Sequence, residues 1–447
     1  MCLSAFSQQK VWISHADTNN LCLPKPEFCS SWLPYCSYSV SEDVYHTLGS
    51  KALPVQLFKP ATLPISSPVL GFALEQIEAK AFLQEGLNGA GIKIGIIDGG
   101  FLKANKSKSL KHVFEAERVK NYQDFVTPEL TPYDGIARLD DGHGTEVWQL
   151  IGGKHPGKNI QYGLATHAEY YLARTDHGAY EKRIEEDHLI AALEQMHRMG
   201  VRLVNVSLGY NIGYTNPEEN YRREQMDGKS TLLAKTISAA ALEKGMLIIV
   251  AAGNEALDPW QIVSTPGDAE HALTVGASKF DIWDKMNYSS IGPSWLPYVK
   301  PDIAVYASSG TSYAAPVVTG MAACIWQRDS TLSNFEVMDL LKSAGNFHPY
   351  ANNYLGHGVP TCTRILKLMD GQTISRPNTL RTKKKSVKIP LKTEASYVVA
   401  FHKTNEKNVA NRYMYRNPGE TLKIKRPDRI RQTSLLVGKE VLEIFWE

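Results

Sequence analysis

Gly310-Thr311-Ser312-Tyr313-Ala314-Ala315-Pro316 runs without a break into the apolar, small-residue stretch Val317–Trp326. A helix built from such residues can lie close against its neighbours, so this one is expected to be buried. Ser312 falls at its start, where free backbone N–H groups and the helix dipole favour developing negative charge. A serine that only caps a helix does not need such close packing behind it. Ser312 therefore reads as a nucleophile. A serine hydroxyl is weak at neutral pH, so a base must be near it.

Working outward, two further segments supply that base and a carboxylate. Asp141-Gly142-His143-Gly144-Thr145 stands at the start of an apolar stretch with Val147, Trp148, Leu150 and Ile151. A histidine between glycines has room for an approaching substrate. Gly95-Ile96-Ile97-Asp98-Gly99-Gly100 ends an apolar strand on a carboxylate, and the glycines let the chain turn away. Alone, each would pass as a turn or cap. Together they give Asp98, His143 and Ser312 in chain order. Ser312 would attack, His143 would act as base and then acid, and Asp98 would hold the imidazole. Ala251-Ala252-Gly253-Asn254-Glu255 closes another strand, and the Asn254 amide can donate to an oxyanion.

The surroundings alternate in a regular rhythm. Ile92–Ile97, Val201–Leu208, Met246–Ala252 and Leu273–Ala277 read as buried strands. Ile184–Met199 and Ser230–Lys244 read as helices, with Gly200 and Gly245 as stops. A further helix is expected at Ala73–Glu85. The fold class is α/β: a parallel sheet with helices on both faces. Past Pro390 the chain changes to short strands, Tyr397–Phe401, Arg412–Tyr415, Thr421–Ile424 and Glu440–Phe445, a small C-terminal β module.

These segments resemble the subtilisin-like serine peptidases, the subtilases, from about Ile92 to Pro360. GTSYAAP is a highly specific match, and HGT, AAGNE and VNVSLG follow in the family's order. The order Asp, His, Ser is the subtilisin one, whereas α/β-hydrolases place the histidine last. The resemblance implies an endopeptidase acting on polypeptides through an acyl-enzyme, with Asn254 in the oxyanion hole. It also implies that Ser207, Leu208 and Gly209 pair with the substrate backbone and, with Ala252 and Gly253, wall the specificity pocket. In detail the chain is similar to secreted subtilases of Bacteroidetes, on Asp98–Phe101, Arg174-Thr175, Glu185-Glu186 and Ser207–Tyr210. It departs from the family in the short run, Val305–Gly310, that leads from the Lys300-Pro301-Asp302 segment into Thr311, which leaves the leaving-group side of the cleft open. Two rivals remain: a non-catalytic binding module on this fold, and an esterase of another α/β class. The second needs G-x-S-x-G around the serine, and Ser312 stands in G-T-S-Y-A.

The chain has 447 residues, 43% hydrophobic and 21% charged, with a net charge of +3. That balance suits a globular protein and requires no nucleic-acid partner. The charge is uneven: Arg376–Glu447 holds 17 Lys or Arg against 7 Asp or Glu, so the rest carries a net −7. No apolar run is long enough to span a membrane. The expected division is 1–7 as the remnant of a signal peptide, 8–70 as a Cys/Pro-rich extension or prosegment, 71–370 as the peptidase domain, 371–390 as a linker and 391–447 as the β module. Ala5-Phe6-Ser7 has the form of a signal-peptidase site. Cys22, Cys29 and Cys36 recur every seven residues without a histidine cluster, so disulfides fit better than zinc. A secreted, periplasmic or cell-surface monomer is expected. Cys324, on a small-residue helical face, reads as a buried free thiol. No cofactor or catalytic metal is required; a structural calcium at Glu181, Glu185, Glu186 and Asp187 competes with a plain helix-start role for them.

Overall fold

The computed structural model describes residues 69–134, 141–177, 181–391 and 396–447 in full. Of the first 68 residues it describes the backbone of four strands. Contacts divide the chain into two compact units, Met1–Pro68 and Val69–Glu447. In the first, Gln8–Ser14 lies between Tyr35–Ser41 and Ala52–Pro54, with Phe28–Cys29 outside Tyr35–Ser41. Cys29 and Cys36 stand directly opposite each other in that register. The segments expected to be a signal remnant and most of the extension, Cys22 included, fall outside the described residues.

The second unit is built on seven parallel strands. They are β1 Lys93–Asp98, β2 Val119–Asp124, β3 Glu169–Arg174, β4 Leu203–Val206, β5 Leu247–Ala251, β6 Leu273–Ser278 and β7 Ile303–Tyr306. Their order across the sheet is β7-β6-β5-β4-β1-β3-β2. The central strands are apolar on both faces, as a sheet covered twice demands. Alternate side chains enter different cores. Ile94, Ile96, Leu203, Leu247 and Ile249 join helices α1 His143–Gly152 and α4 Ala315–Arg328. Ile97, Val204, Val206, Ile248 and Val250 join α2 Ile184–Arg198 and α3 Leu232–Lys244. Every residue of Ala315–Trp326 is buried, which is why that helix is made of small and apolar residues.

The helix expected at Ala73–Glu85 is two short helices, Phe72–Gln76 and Lys80–Gln84, with Glu78 between them at φ 56°. The polar stretch 371–390 contains two strands, β8 Asn378–Thr382 and β9 Ser386–Pro390. With β10 Tyr397–Lys403, β11 Val409–Arg416, β12 Thr421–Lys425, β13 Gln432–Val437 and β14 Glu440–Trp446 they form a five-stranded sheet, β8-β14-β13-β10-β11, and the pair β9-β12. One side of this layer has its own core around Val398, Leu435 and Ile444. The other side, with Val399, Phe401 and Leu436, packs against Ala304, Phe347 and Leu355 of the α/β part. Arg412 on β11 pairs with the buried Asp284, so the two parts are also joined by charge.

Candidate active site

The sheet carries its functional groups at the carboxyl ends of adjacent strands, where an α/β sheet opens. Asp98 ends β1 and is fully buried. Its Oδ1 accepts from the Gly99 N–H at 2.8 Å and lies 2.6 Å from His143 Nδ1. His143 is the first residue of α1 and keeps 23% of its side chain exposed. The glycines around it are used by the protein itself. A Cβ on Gly144 would come within 2.6 Å of Gly100 O and 2.9 Å of Asp98 Cβ. One on Gly100 would meet Asp141 O at 2.6 Å. So the histidine segment and the aspartate segment can touch only because both lack side chains there. Gly142 alone faces open space.

A buried guanidinium locks these loops together. Arg174 ends β3, paired in register with Asp98. Its Nε donates to Gly99 O at 3.0 Å, and Nη1 donates to Asp124 Oδ2 at 3.0 Å and Thr127 Oγ1 at 2.7 Å. Nη2 donates to Asp141 Oδ1 at 3.2 Å. One side chain thus holds the turn after Asp98, the end of β2 and the residue two before His143. The planar fork of arginine suits this, and a lysine ammonium could not span it.

Ser312 sits in the single turn Thr311–Tyr313 just ahead of α4. It is stapled to the end of β4: its Oγ donates to Ser207 O at 3.2 Å, and Ser207 Oγ donates to Ser312 O at 3.0 Å. Behind it, Thr319 Oγ1 donates to Asn205 Oδ1 and Asn205 Nδ2 donates to Ser207 Oγ, both at 2.9 Å. The Tyr313 ring lies 5.6 Å from the His143 ring, and its hydroxyl donates to Glu146 at 2.5 Å.

Asn254 follows β5. Its Oδ1 accepts from Thr311 N–H at 2.8 Å and Thr311 Oγ1 at 3.2 Å. A backbone N–H can only donate, so the oxygen must face Thr311 and the amide Nδ2 is left for another acceptor. Gly253, at φ 99°, bends the chain here. A Cβ on it would meet the Glu255 carboxylate at 2.4 Å.

His143, Ser312 and Asn254 line one cavity of about 500 Å³. Ser207, Leu208, Gly209 and Gly253 line it too, as expected of a substrate-binding wall. Ala252 is fully buried, and its neighbour Ala251 lines the cavity instead. Two carboxylates that sequence reasoning gave no part in the cleft, Asp176 and Glu181, also line it. Of the four acidic groups weighed for calcium, Glu181 and Glu185 come together, joined by Asp176, with ligand atoms within 4.8 Å of one another. Glu186 is taken by Tyr214, Tyr221 and Arg183. Asp187 is exposed.

The chain is 26% identical over 291 residues to subtilisin NAT of Bacillus subtilis subsp. natto, covering 62% of this chain and 66% of that protein. It is 26% identical over 350 residues to the serine protease AprX of Bacillus subtilis, covering 69% of this chain and 73% of AprX. The chain thus spans about two thirds to three quarters of the length of these relatives. Among solved structures, the CspB protease of Clostridium perfringens shares the fold, with a TM-score of 0.53 at 16% identity over 67% of this chain and 99% of that one. The model of the subtilase family matches residues 89–358, more than half of the chain, and the protein belongs to that family.

Proposed function

We propose that the chain is a serine endopeptidase that cleaves polypeptides through an acyl-enzyme on Ser312. One observation carries this: Asp98 Oδ1 lies 2.6 Å from His143 Nδ1, in a site whose His143, Ser312 and Asn254 share one cavity. Asp98 fixes the tautomer that carries a proton on Nδ1, so Nε2 is the basic nitrogen. Ser312 Oγ now donates to Ser207 O, and catalytic hydrogen bonds in an empty site tighten when substrate binds. Turning about its own Cα–Cβ bond, Oγ gives its proton to Nε2 and attacks the scissile carbonyl. The new oxyanion receives the Asn254 amide and the Ser312 N–H, which makes no hydrogen bond among the described residues. The imidazolium then protonates the leaving amine, and water enters by the reverse sequence. Subtilases need no organic cofactor. Ser312→Ala should fold and lose turnover by about 10⁶, as removal of the nucleophile does in subtilisin. Peptide hydrolysis above about a hundredth of wild type would sink the assignment.

We also propose an oxidising location for the chain. Among the described residues no helix is long and apolar enough to cross a membrane. Cys324 and Cys362 are free and buried, so neither joins a disulfide. Cys29 and Cys36 are directly opposed across two antiparallel strands, and such Cα pairs lie within about 4.5–5.5 Å, a spacing a disulfide can bridge. Non-reducing peptide mapping of protein from its host should find Cys29 joined to Cys36. Free thiols at both would count against the location.

A further inference from the structure

The C-terminal layer ends, on the side away from the α/β part, in the ribbon of β9 and β12. The five-stranded sheet turns Val399, Phe401 and Leu436 toward the α/β part and Val398, Ala400, Leu435 and Ile444 the other way. The ribbon closes that second core with Ile389, Leu422 and Ile424, and Val387 packs against it. Successive side chains of a strand point to opposite faces, so Ser386, Lys388 and Pro390 of β9 and Thr421, Lys423 and Lys425 of β12 look outward. Lys388, Lys423 and Lys425 are exposed. The turn that leads into the ribbon adds Lys383, Lys384 and Lys385, exposed as well. Arg426 N–H donates to Lys385 O at 2.9 Å, which ties this turn to the end of β12.

Two features set this face apart from an ordinary solvated one. Lys388 and Lys423 are directly opposed in the antiparallel register. Such pairs hold their Cβ atoms about 4.5–5.5 Å apart, and like charges there weaken the ribbon. An acid on either strand would relieve this, yet neither β9 nor β12 holds an Asp or Glu. The second feature is that the neighbouring arginines are committed and the lysines are not. Arg381 pairs with Glu447 and covers the Phe445 ring, and Arg426 donates to Ile430 O and Glu447 O. Among the described residues none of the six lysines is in an ion pair. Their repulsion is relieved when an anion from outside the chain meets this face.

We infer that the outer face of the β9-β12 ribbon, with the Lys383–Lys385 turn, docks the protein on an anionic lipid surface. This stands apart from the peptidase reading. A lysine ammonium is a hydrated point charge, without the planar fork by which arginine grips one phosphate. Six of them spread over one outer face suit a plane of diffuse negative charge better than a shaped ligand. The other outward residues are Ser386, Pro390 and Thr421, so the ribbon offers no aromatic ring on which a base could stack. It offers no large apolar side chain to enter the hydrocarbon either, so the binding is peripheral and electrostatic. The α/β part lies on the opposite side of the five-stranded sheet and stays away from the lipid.

Sedimentation of the full chain with vesicles tests this. Phosphatidylcholine vesicles containing about a third phosphatidylglycerol should carry the protein down at about 0.1 M salt, and pure phosphatidylcholine vesicles should not. Binding should vanish at about 1 M salt, where the screening length has fallen from about 10 Å to about 3 Å. Near an anionic leaflet each lysine is worth about fivefold in partition, so Lys388→Gln/Lys423→Gln/Lys425→Gln should lower it about a hundredfold. Lys106→Gln/Lys108→Gln/Lys235→Gln removes the same charge from exposed sites of the α/β part and should change it by less than about threefold. If the ribbon variant melts early, Lys383→Gln/Lys384→Gln/Lys385→Gln in the turn should give the same loss. Equal binding to both kinds of vesicle, binding to neither, a well-folded ribbon or turn variant that binds like wild type, or an equal loss in the α/β variant overturns the inference. So does a duplex DNA that binds more tightly than the vesicles at the same salt and is lost in the ribbon variant, which would make the face a nucleic-acid surface.

Discussion

Two of the buried cations, Arg174 and Lys403, are used differently. At the crevice, Arg174 spreads its guanidinium over oxygens of Gly99, Asp124, Thr127 and Asp141, joining three separate segments. In the C-terminal layer, Lys403 on β10 faces Glu443 on β14 at 2.8 Å, both side chains fully buried. Glu443 also accepts from Ser434 at 2.6 Å. None of these three belongs to the cavity that holds His143 and Ser312. A buried pair is weak evidence for stability, because desolvation offsets much of its attraction. What matters is what the pair holds in place. Arg174 holds the loops that bring Asp98 to His143, whereas Lys403 and Glu443 hold only each other and their sheet.

The largest effect that sharpens this contrast belongs to the crevice. Asn254→Ala leaves Thr311 N–H to water and removes the proposed oxyanion donor. Loss of one such donor in subtilisin costs about 10²–10³ in turnover. The same drop in kcat is expected here, with KM little changed, because the amide contacts the transition state more strongly than the substrate. A kcat within about threefold of wild type would refute the role. Arg174→Lys comes next. It keeps the charge and loses the fork, so turnover should fall by up to about 10², the scale of a catalytic group misplaced by about 1 Å. Arg174→Ala should in addition destabilise the fold, since it removes the buried cation that Asp124 and Asp141 face. If Arg174→Lys melts earlier but turns over normally, its role is only structural and the contrast collapses.

In the C-terminal layer the outcome should invert. Lys403→Ala should cost about 3–5 kcal/mol of stability, while Lys403→Met/Glu443→Leu should be neutral or better. Both should leave kcat per folded molecule unchanged, read by active-site titration. The smallest effect is a pH dependence. Burial pushes the His402 imidazole of β10 down to about 4 from 6.5, and that of His357 likewise to about 4. The unfolded chain then binds more protons than the folded one between those values. These residues are favourable to the fold above pH 6.5, and that contribution fades as pH falls toward 4. The melting point should decline across that window, and His402→Gln should flatten the decline slightly. An unchanged slope would mean that His402 takes no part in it.

The same contrast explains what the residue order revealed. Asp98, His143, Ser312 and Asn254 were legible because each stands at a strand or helix end and its neighbours are forced: glycine where backbones touch, small residues where α4 is buried. β1, β4 and β5 were legible because a doubly covered strand is apolar throughout. β2, with Val119-Lys120-Asn121-Tyr122-Gln123-Asp124, was not, since it is the sheet's edge and mostly part-exposed. The strands β8 and β9 read as a linker for the same reason: only Ile389 among their residues is buried. Arg174 stood out only as part of the resemblance, and its role could not be read, because its partners lie 33 to 75 residues away along the chain. Asp176 carried no signal, and Glu181 read only as a calcium ligand or a helix-start charge, since their place in the cleft wall depends on Ser312 arriving across the sheet.

The central claim is that Ser312 is a nucleophile activated by His143 and Asp98. The direct measurement is labelling of the intact protein with a fluorophosphonate, followed by mass mapping of the modified peptide. The account predicts one label per molecule, on Ser312, absent from Ser312→Ala and greatly slowed in His143→Ala. A label on another residue, one that persists in Ser312→Ala, or no label on well-folded wild type would contradict it.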